Sequence, residues 1–184
     1  HRTKPNVLVI GDSTGGDVAA ALRQSHPHIN FLQNTGAGCV PTTKFDGTSL
    51  GRHRRRFHDH MVRVVSGTKL DGIVIVANWT DRDDLVSNLE SVLQELNALN
   101  GTRLILVGPT PRFRRNTQAL LSRRNAGATS FVSGEANFQA GLSHIEERMR
   151  SLAHARGVTY VDRLGLLCPD SRCRQDWKQQ PPPN

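Results

Sequence analysis

One short stretch of this sequence puts a nucleophile-type side chain where a fold can activate it. Gly11-Asp12-Ser13 directly follows the apolar run Val7-Leu8-Val9-Ile10, so Ser13 falls at a tight junction between a strand and a helix expected to begin near Gly15 or Gly16. A serine hydroxyl there lies at the carboxyl edge of a sheet and at the positive end of a helix, where developing negative charge is stabilised. The same position has a plain structural use, because Ser13 or Thr14 can cap the helix with its side-chain oxygen. Nucleophilic use also requires a base within about 3 Å of the serine oxygen. Of the histidines, His26 and His28 precede the second strand at the opposite edge, while His58, His60, His144 and His154 fall within helical patterns. Only His53 borders a loop that can approach the carboxyl edge.

The elements that must position Ser13 read clearly. Val7–Ile10, Ile29–Leu32, Ile73–Val76, Leu104–Val107 and Val158–Val161 are strand-like, and four of them are continuous and β-branched enough to be covered on both faces. Helical stripes lie between them: Leu85, Leu89, Val92, Leu96 and Leu99 within Asp84–Leu99, Leu142, Ile145, Met149 and Leu152 within Glu135–Ala155, and Phe57, Met61, Val64 and Val65 as a third face. Alternating strands and helices predict an α/β fold, a three-layer α/β/α sandwich with a five-stranded parallel, flavodoxin-like sheet. In such folds ligands bind outside the carboxyl ends of the strands. The informative residues are then Gly11-Asp12-Ser13, the Asn34–Pro41 loop, Ala77-Asn78-Trp79, Gly108-Pro109-Thr110-Pro111 and Asp162, the last a strand-end carboxylate of the kind that usually caps a turn.

Composition bounds the rest. The chain has 184 residues and 24 Lys+Arg against 16 Asp+Glu, a formal charge of +8. That length suits one domain, burying roughly 70% of the surface its unfolded chain exposes. The expected organisation is a linker remnant over 1–6, one domain over 7–173 and a disordered tail over 174–184. No apolar run reaches the ~20 residues a membrane span needs, and no signal peptide follows the first residues. Opening on His1, the chain reads as a piece of something larger. The arginines cluster in Arg52–Arg56 and Arg112–Arg124, without the interleaved aromatics that stack bases, so no nucleic acid is expected as a partner. In the first cluster Arg54, Arg55 and His58 are expected to point at water. Cys168 and Cys173, separated by the turn formers Pro169 and Asp170, can close a small disulfide in an oxidising compartment or remain free thiols; a zinc site lacks two ligands. Cys39 is left over.

The ordered series Val7–Ser13 (VLVIGDS), Gly36–Pro41 (GAGCVP), a third strand ending in Trp79, LVGPTPRF from Leu106, and GVTYVDRLGLLCPDSRC ending at Cys173 resembles the SGNH, or GDSL-like, hydrolases. Within them it resembles the periplasmic SGNH-type domain fused to acyltransferase-3 membrane proteins, which O-acylate lipopolysaccharide or other surface glycans. The resemblance implies Ser13 as nucleophile and an oxyanion hole built from the Ser13 amide, the Gly38 amide and the Asn78 side chain, with Asp12 supporting. Each such donor is typically worth ~3 kcal/mol. It implies no metal and no organic cofactor, an acyl donor and a glycan acceptor as partners, a transmembrane acyltransferase domain in the parent chain, a periplasmic location, and a Cys168–Cys173 disulfide. Two features depart from the family: the stretch GRHRRRFHDH offers Cys39 no partner, and no Asp-x-x-His motif follows Cys173, so the base is expected beyond the end of this sequence. Two other readings compete. One is a degenerate SGNH domain that binds an acyl or glycan ligand without turnover. The other is a flavodoxin-like domain stacking FMN between Trp79 and Phe113 above the IGDSTGGD loop.

Overall fold

The computed structural model describes residues 4–80, 84–111, 131–133, 142–169 and 172–174. Five strands, β1 (Asn6–Gly11), β2 (Asn30–Thr35), β3 (Gly72–Val76), β4 (Leu104–Val107) and β6 (Thr159–Val161), form one all-parallel sheet in the order β2-β1-β3-β4-β6. This is the doubly wound order whose direction of winding reverses at β1, with β3 and β2 on either side. The first strand starts at Asn6, one residue before the expected domain boundary, and Asn30 N–H donates to Pro5 O at 2.8 Å.

Alternation along each strand divides the core between the two faces. Leu8, Ile10, Ile73, Ile75, Leu104 and Leu106 point to one side, where α2 (Ser49–Gly67), α3 (Leu85–Asn100) and α4 (Leu142–Ala155) bring Met61, Val65, Leu89, Leu93, Leu96, Ile145 and Met149 against them. Val9, Val74, Val76 and Val107 point to the other, under Ala19, Val18 and Leu22 of α1 (Ser13–Ser25). Buried aliphatic surface of this kind contributes about 25 cal/mol per Å² removed from water, which is why continuous apolar strands end up covered on both faces.

Helix α1 begins at Ser13, earlier than the glycines suggested, because Asp12 rather than Ser13 or Thr14 is the N-cap: its side chain accepts from Thr14 N–H at 2.9 Å. The strand before it ends on Gly11, paired with Val76, and a Cβ on Gly11 would run into the Val76 carbonyl oxygen. Only glycine lets β1 leave the sheet so close to β3. Sequence periodicity missed a small antiparallel pair, β5 (Phe131–Ser133) with β7 (Arg172–Arg174), in which Val132 stands opposite Cys173. Arg174 therefore belongs to a strand and not to a tail. The rest of the expected tail, the Arg112–Arg124 cluster, Phe113 and the expected helical turns before Leu142 lie outside the described residues.

Candidate active site

Asp12 organises the carboxyl edge of the sheet. It is 4% exposed, and its two oxygens serve two elements: Oδ1 accepts from Thr14 N–H at 2.9 Å and Oδ2 from Asn78 N–H at 2.9 Å. One buried carboxylate thus fixes the start of α1 to the second residue after β3, and each backbone donor it takes is one that burial would otherwise leave unpaired. With the cap supplied by Asp12, Ser13 is freed from that work. Its side chain is exposed in the first turn of α1 and makes no hydrogen bond among the described residues. The first-turn amides of a helix have no intrahelical acceptor, so Ser13 sits among N–H groups that favour negative charge.

The loop after β2 reaches the same edge. Gly36 N–H donates to Gly11 O at 3.1 Å, and Cys39 N–H closes a four-residue turn on Gly36 O at 2.9 Å. Gly38 is the third residue of that turn, with φ +69°, a conformation that penalises a Cβ and selects glycine. Its carbonyl accepts from Arg54 Nε at 3.0 Å, while its N–H has no acceptor among the described residues.

Asp12, Gly38 and Asn78 line one cleft of about 500 Å³, together with Val40, Lys44, Phe45, Arg54 and Asn88. Asn78 is exposed there, its side chain without a partner among the described residues. Ser13 itself does not line the cleft; its neighbour Asp12 does. The structure therefore brings the expected serine, glycine and asparagine to one edge, with three free donors or hydroxyls, and the Asp12 carboxylate ties the asparagine's backbone to Thr14 in the first turn of α1. Such a group can hold an acyl carbonyl next to a nucleophile. Among the described residues no histidine lines the cleft. His53 lies in α2 and faces a different cleft with Asn34, Cys39 and His60, and His58 gives Nε2 to Glu95 at 2.7 Å.

Several expectations need correction. Arg54 does not point at water: it is half-buried, on Gly38 and in the cleft, and His58 is half-buried against Glu95. Only Arg55 stands out, exposed over the Phe45 ring at 5.2 Å. The clue to Arg54 was its helical position, six residues after the Thr48 cap and so back over the loop that precedes α2. Trp79 is not a ring free to stack on flavin: it is 1% exposed within the core, and its Nε1 donates to Val107 O at 2.8 Å, pinning the end of β4. Asp162 does what a strand-end carboxylate usually does. It caps the short helix α5 (Arg163–Leu167) through Gly165 N–H at 2.6 Å and holds Arg150 at 2.6 Å.

Cys39 is a fully buried free thiol whose pKa is pushed up by burial, with the Arg54 charge pulling weakly the other way, so it is a packing group and not a nucleophile. Cys168 is disulfide-bonded, and not to Cys39; the Cys173 side chain lies outside what is described. Among the described residues no group of three or more His, Cys, Asp or Glu is placed to hold a metal ion, and no helix is long and apolar enough to cross a membrane.

Sheet order, layers and the strand-end serine define an α/β domain with the SGNH-like fold. The chain belongs to the family of SGNH domains fused to AT3 (acyltransferase-3) domains, which it matches over residues 1–181. Among solved structures it is similar to the periplasmic domain of the lipopolysaccharide acetyltransferase of Salmonella ser. Paratyphi A, at 14% identity and TM-score 0.74, covering 98% of this chain and 74% of that one. At that identity the likeness is one of fold. No curated protein matches the chain.

Proposed function

We propose that this domain carries serine-dependent acyl transfer or ester hydrolysis on acyl groups of cell-surface glycans, as the extracytoplasmic part of a membrane acyltransferase. Ser13 Oγ attacks the acyl carbonyl and passes its proton to a base. The carbonyl electrons move to oxygen, which the amides of Ser13 and Gly38 and the Asn78 side chain receive. Collapse of the tetrahedral intermediate expels the alcohol and leaves the acyl group on Ser13, for water or a glycan hydroxyl to take. Asp12 positions this set. The observation carrying the reading is that Asp12 takes over the helix cap and the Asn78 amide together, leaving Ser13 Oγ unbonded among the described residues beside a cleft lined by Gly38 and Asn78. Fusion to AT3 domains in the family supports the membrane context, and an oxidised Cys168 suits a periplasmic one, with Cys173 as its proposed partner.

A binding domain without turnover is the second reading, favoured by a cleft that no histidine lines among the described residues. Hydrolysis of p-nitrophenyl acetate by the chain and by Ser13→Ala, with and without added 2-methylimidazole as an external base, separates the two. Acyl transfer predicts a Ser13-dependent rate that rises with the added base and is lost in Ser13→Ala, with Asn78→Ala reducing it ~10²-fold. Equal rates for the chain and Ser13→Ala at every base concentration reject Ser13 as nucleophile and leave the binding reading.

A further inference from the structure

The first arginine cluster contains a pattern that acyl chemistry does not use. His53, Arg56, Phe57 and His60 follow one another at helical spacing, so all four share one face of α2. That face turns to the carboxyl end of the edge strand β2, where Gln33, Asn34, Thr35, Gly36 and Cys39 complete a second cleft of about 360 Å³. The Gly36–Pro41 loop runs between this cleft and the one at Asn78, so the two are distinct.

Its chemistry is one-sided. Among the described residues no carboxylate lines it, whereas one guanidinium and two imidazoles do. The arginines of the cluster are also used differently: Arg52 donates to Gly47 O at 2.6 Å, Arg54 to Gly38 O at 3.0 Å, and Arg55 lies over Phe45. Arg56 is exposed at the cleft and makes no such contact among the described residues. At the cleft wall Asn34, 5% exposed, accepts through Oδ1 from His60 Nδ1 at 2.7 Å, while its Nδ2 has no acceptor among the described residues. A buried amide hydrogen without an acceptor is a standing cost that an oxygen brought into the cleft, with a small shift of the His60 ring, removes. A planar guanidinium, imidazole N–H groups and a spare amide donor, beside the apolar ring of Phe57, match the oxygens of a phosphate.

We propose that the cleft between α2 and the end of β2 binds a phosphate group, with Arg56 as its main anchor, His53 and His60 beside it, and the attached body resting on Phe57. Its source is a phosphorylated sugar or a phospholipid headgroup. The proposal does not depend on Ser13.

The test uses the full chain and three probes: inorganic phosphate, glucose 6-phosphate, and vesicles of phosphatidylcholine with or without phosphatidylglycerol. Binding is read from amide and side-chain NMR shifts for the soluble probes and from co-sedimentation for the vesicles. Saturable shifts centred on residues 53–60 are expected, weakened at least tenfold by Arg56→Gln, unchanged by Ser13→Ala, and unchanged by Arg63→Gln, which removes an exposed charge from the same helix outside the cleft. Glucose 6-phosphate exceeding inorganic phosphate, with no vesicle binding, supports the sugar source. Binding to phosphatidylglycerol vesicles lost in Arg56→Gln supports the headgroup. Equal loss in Arg56→Gln and Arg63→Gln, or no saturable response to any probe, overturns the site.

Discussion

Asp12 and Asp162 both follow a strand of the parallel sheet and both cap the helix that comes next, yet they do opposite things for the fold. Asp12 is enclosed and spends both oxygens on backbone N–H groups of two different elements. Asp162 is about one-third exposed and spends its oxygens on one backbone N–H and one guanidinium, that of Arg150, which also reaches Glu146 at 3.0 Å. Around Asp162 the satisfaction is incomplete. Glu146 Oε2 and the Tyr160 hydroxyl are buried with no hydrogen bond of acceptable geometry among the described residues, crowded together against Gly108 at the end of β4. Burial pushes the Glu146 carboxyl up and, together with the Glu146 charge, pushes the Tyr160 phenol up much further. The first corner is a closed joint that fixes backbone geometry. The second is a charged hinge of side chains, held at a cost that depends on pH.

The largest effect expected is at the joint itself. Gly11→Ala drives a methyl into the Val76 carbonyl, and because the obstacle is backbone it cannot swing aside. A loss of at least about 3 kcal/mol is expected in urea unfolding, at the severe end of overpacking. Asp12→Asn keeps the shape but offers one acceptor where two N–H groups need one each; a cost of about 2–3 kcal/mol is expected in the same measurement. If Asp12→Asn is neutral, the joint is not what holds α1 to β3.

The other corner should respond to pH more than to deletion. The raised Glu146 pKa means that the unfolded chain releases this proton first, so stability falls as pH climbs from the ordinary 4.5 through the folded value. Glu146→Gln is expected to gain about 1 kcal/mol at pH 7, the scale of one unsatisfied buried group, and to flatten that decline when unfolding is repeated from pH 4 to 8. For Asp162, burial alone would raise the pKa, but Gly165 N–H and Arg150 outweigh it and hold the carboxylate below the ordinary 3.8. Its contribution is therefore present above about 3.8 and lost as pH falls through the lower folded value. Asp162→Asn should cost less than about 1 kcal/mol at pH 7, because the pair is largely solvated, and its deficit should shrink as pH is lowered below 3.8. A cost equal to that of Asp12→Asn would erase the distinction between the two corners.

Much of the fold was legible because parallel strands buried on both faces must be apolar throughout, and Val7–Ile10, Ile73–Val76 and Leu104–Val107 advertise that directly. Ser13 was legible for the same reason, as the polar group at the end of the first such run. The double role of Asp12 was not, since Asn78 is 66 residues away and meets it only once β1 and β3 pair in register. Arg54 was misread because a run of arginines on an amphipathic helix is normally solvated. Its contact depends on where a positive-φ turn leaves the Gly38 carbonyl. The β5–β7 pair escaped because three-residue strands carry too few side chains for any period to register.

The close pass of Gly11 over the Val76 carbonyl also has a genetic side. Every one-base missense change in a glycine codon yields a residue with a Cβ, so no such neighbour of Gly11 fits the space that the two strands leave. Ser13, two residues on, is exposed, and its exchange for alanine is expected to leave the fold intact, whereas a single step at the glycine always adds a Cβ. Random mutagenesis should therefore return folded, altered chains at Ser13 and almost none at Gly11. The invariance of that glycine among selected clones would then report on how near two backbones lie, and not on the reaction at their ends.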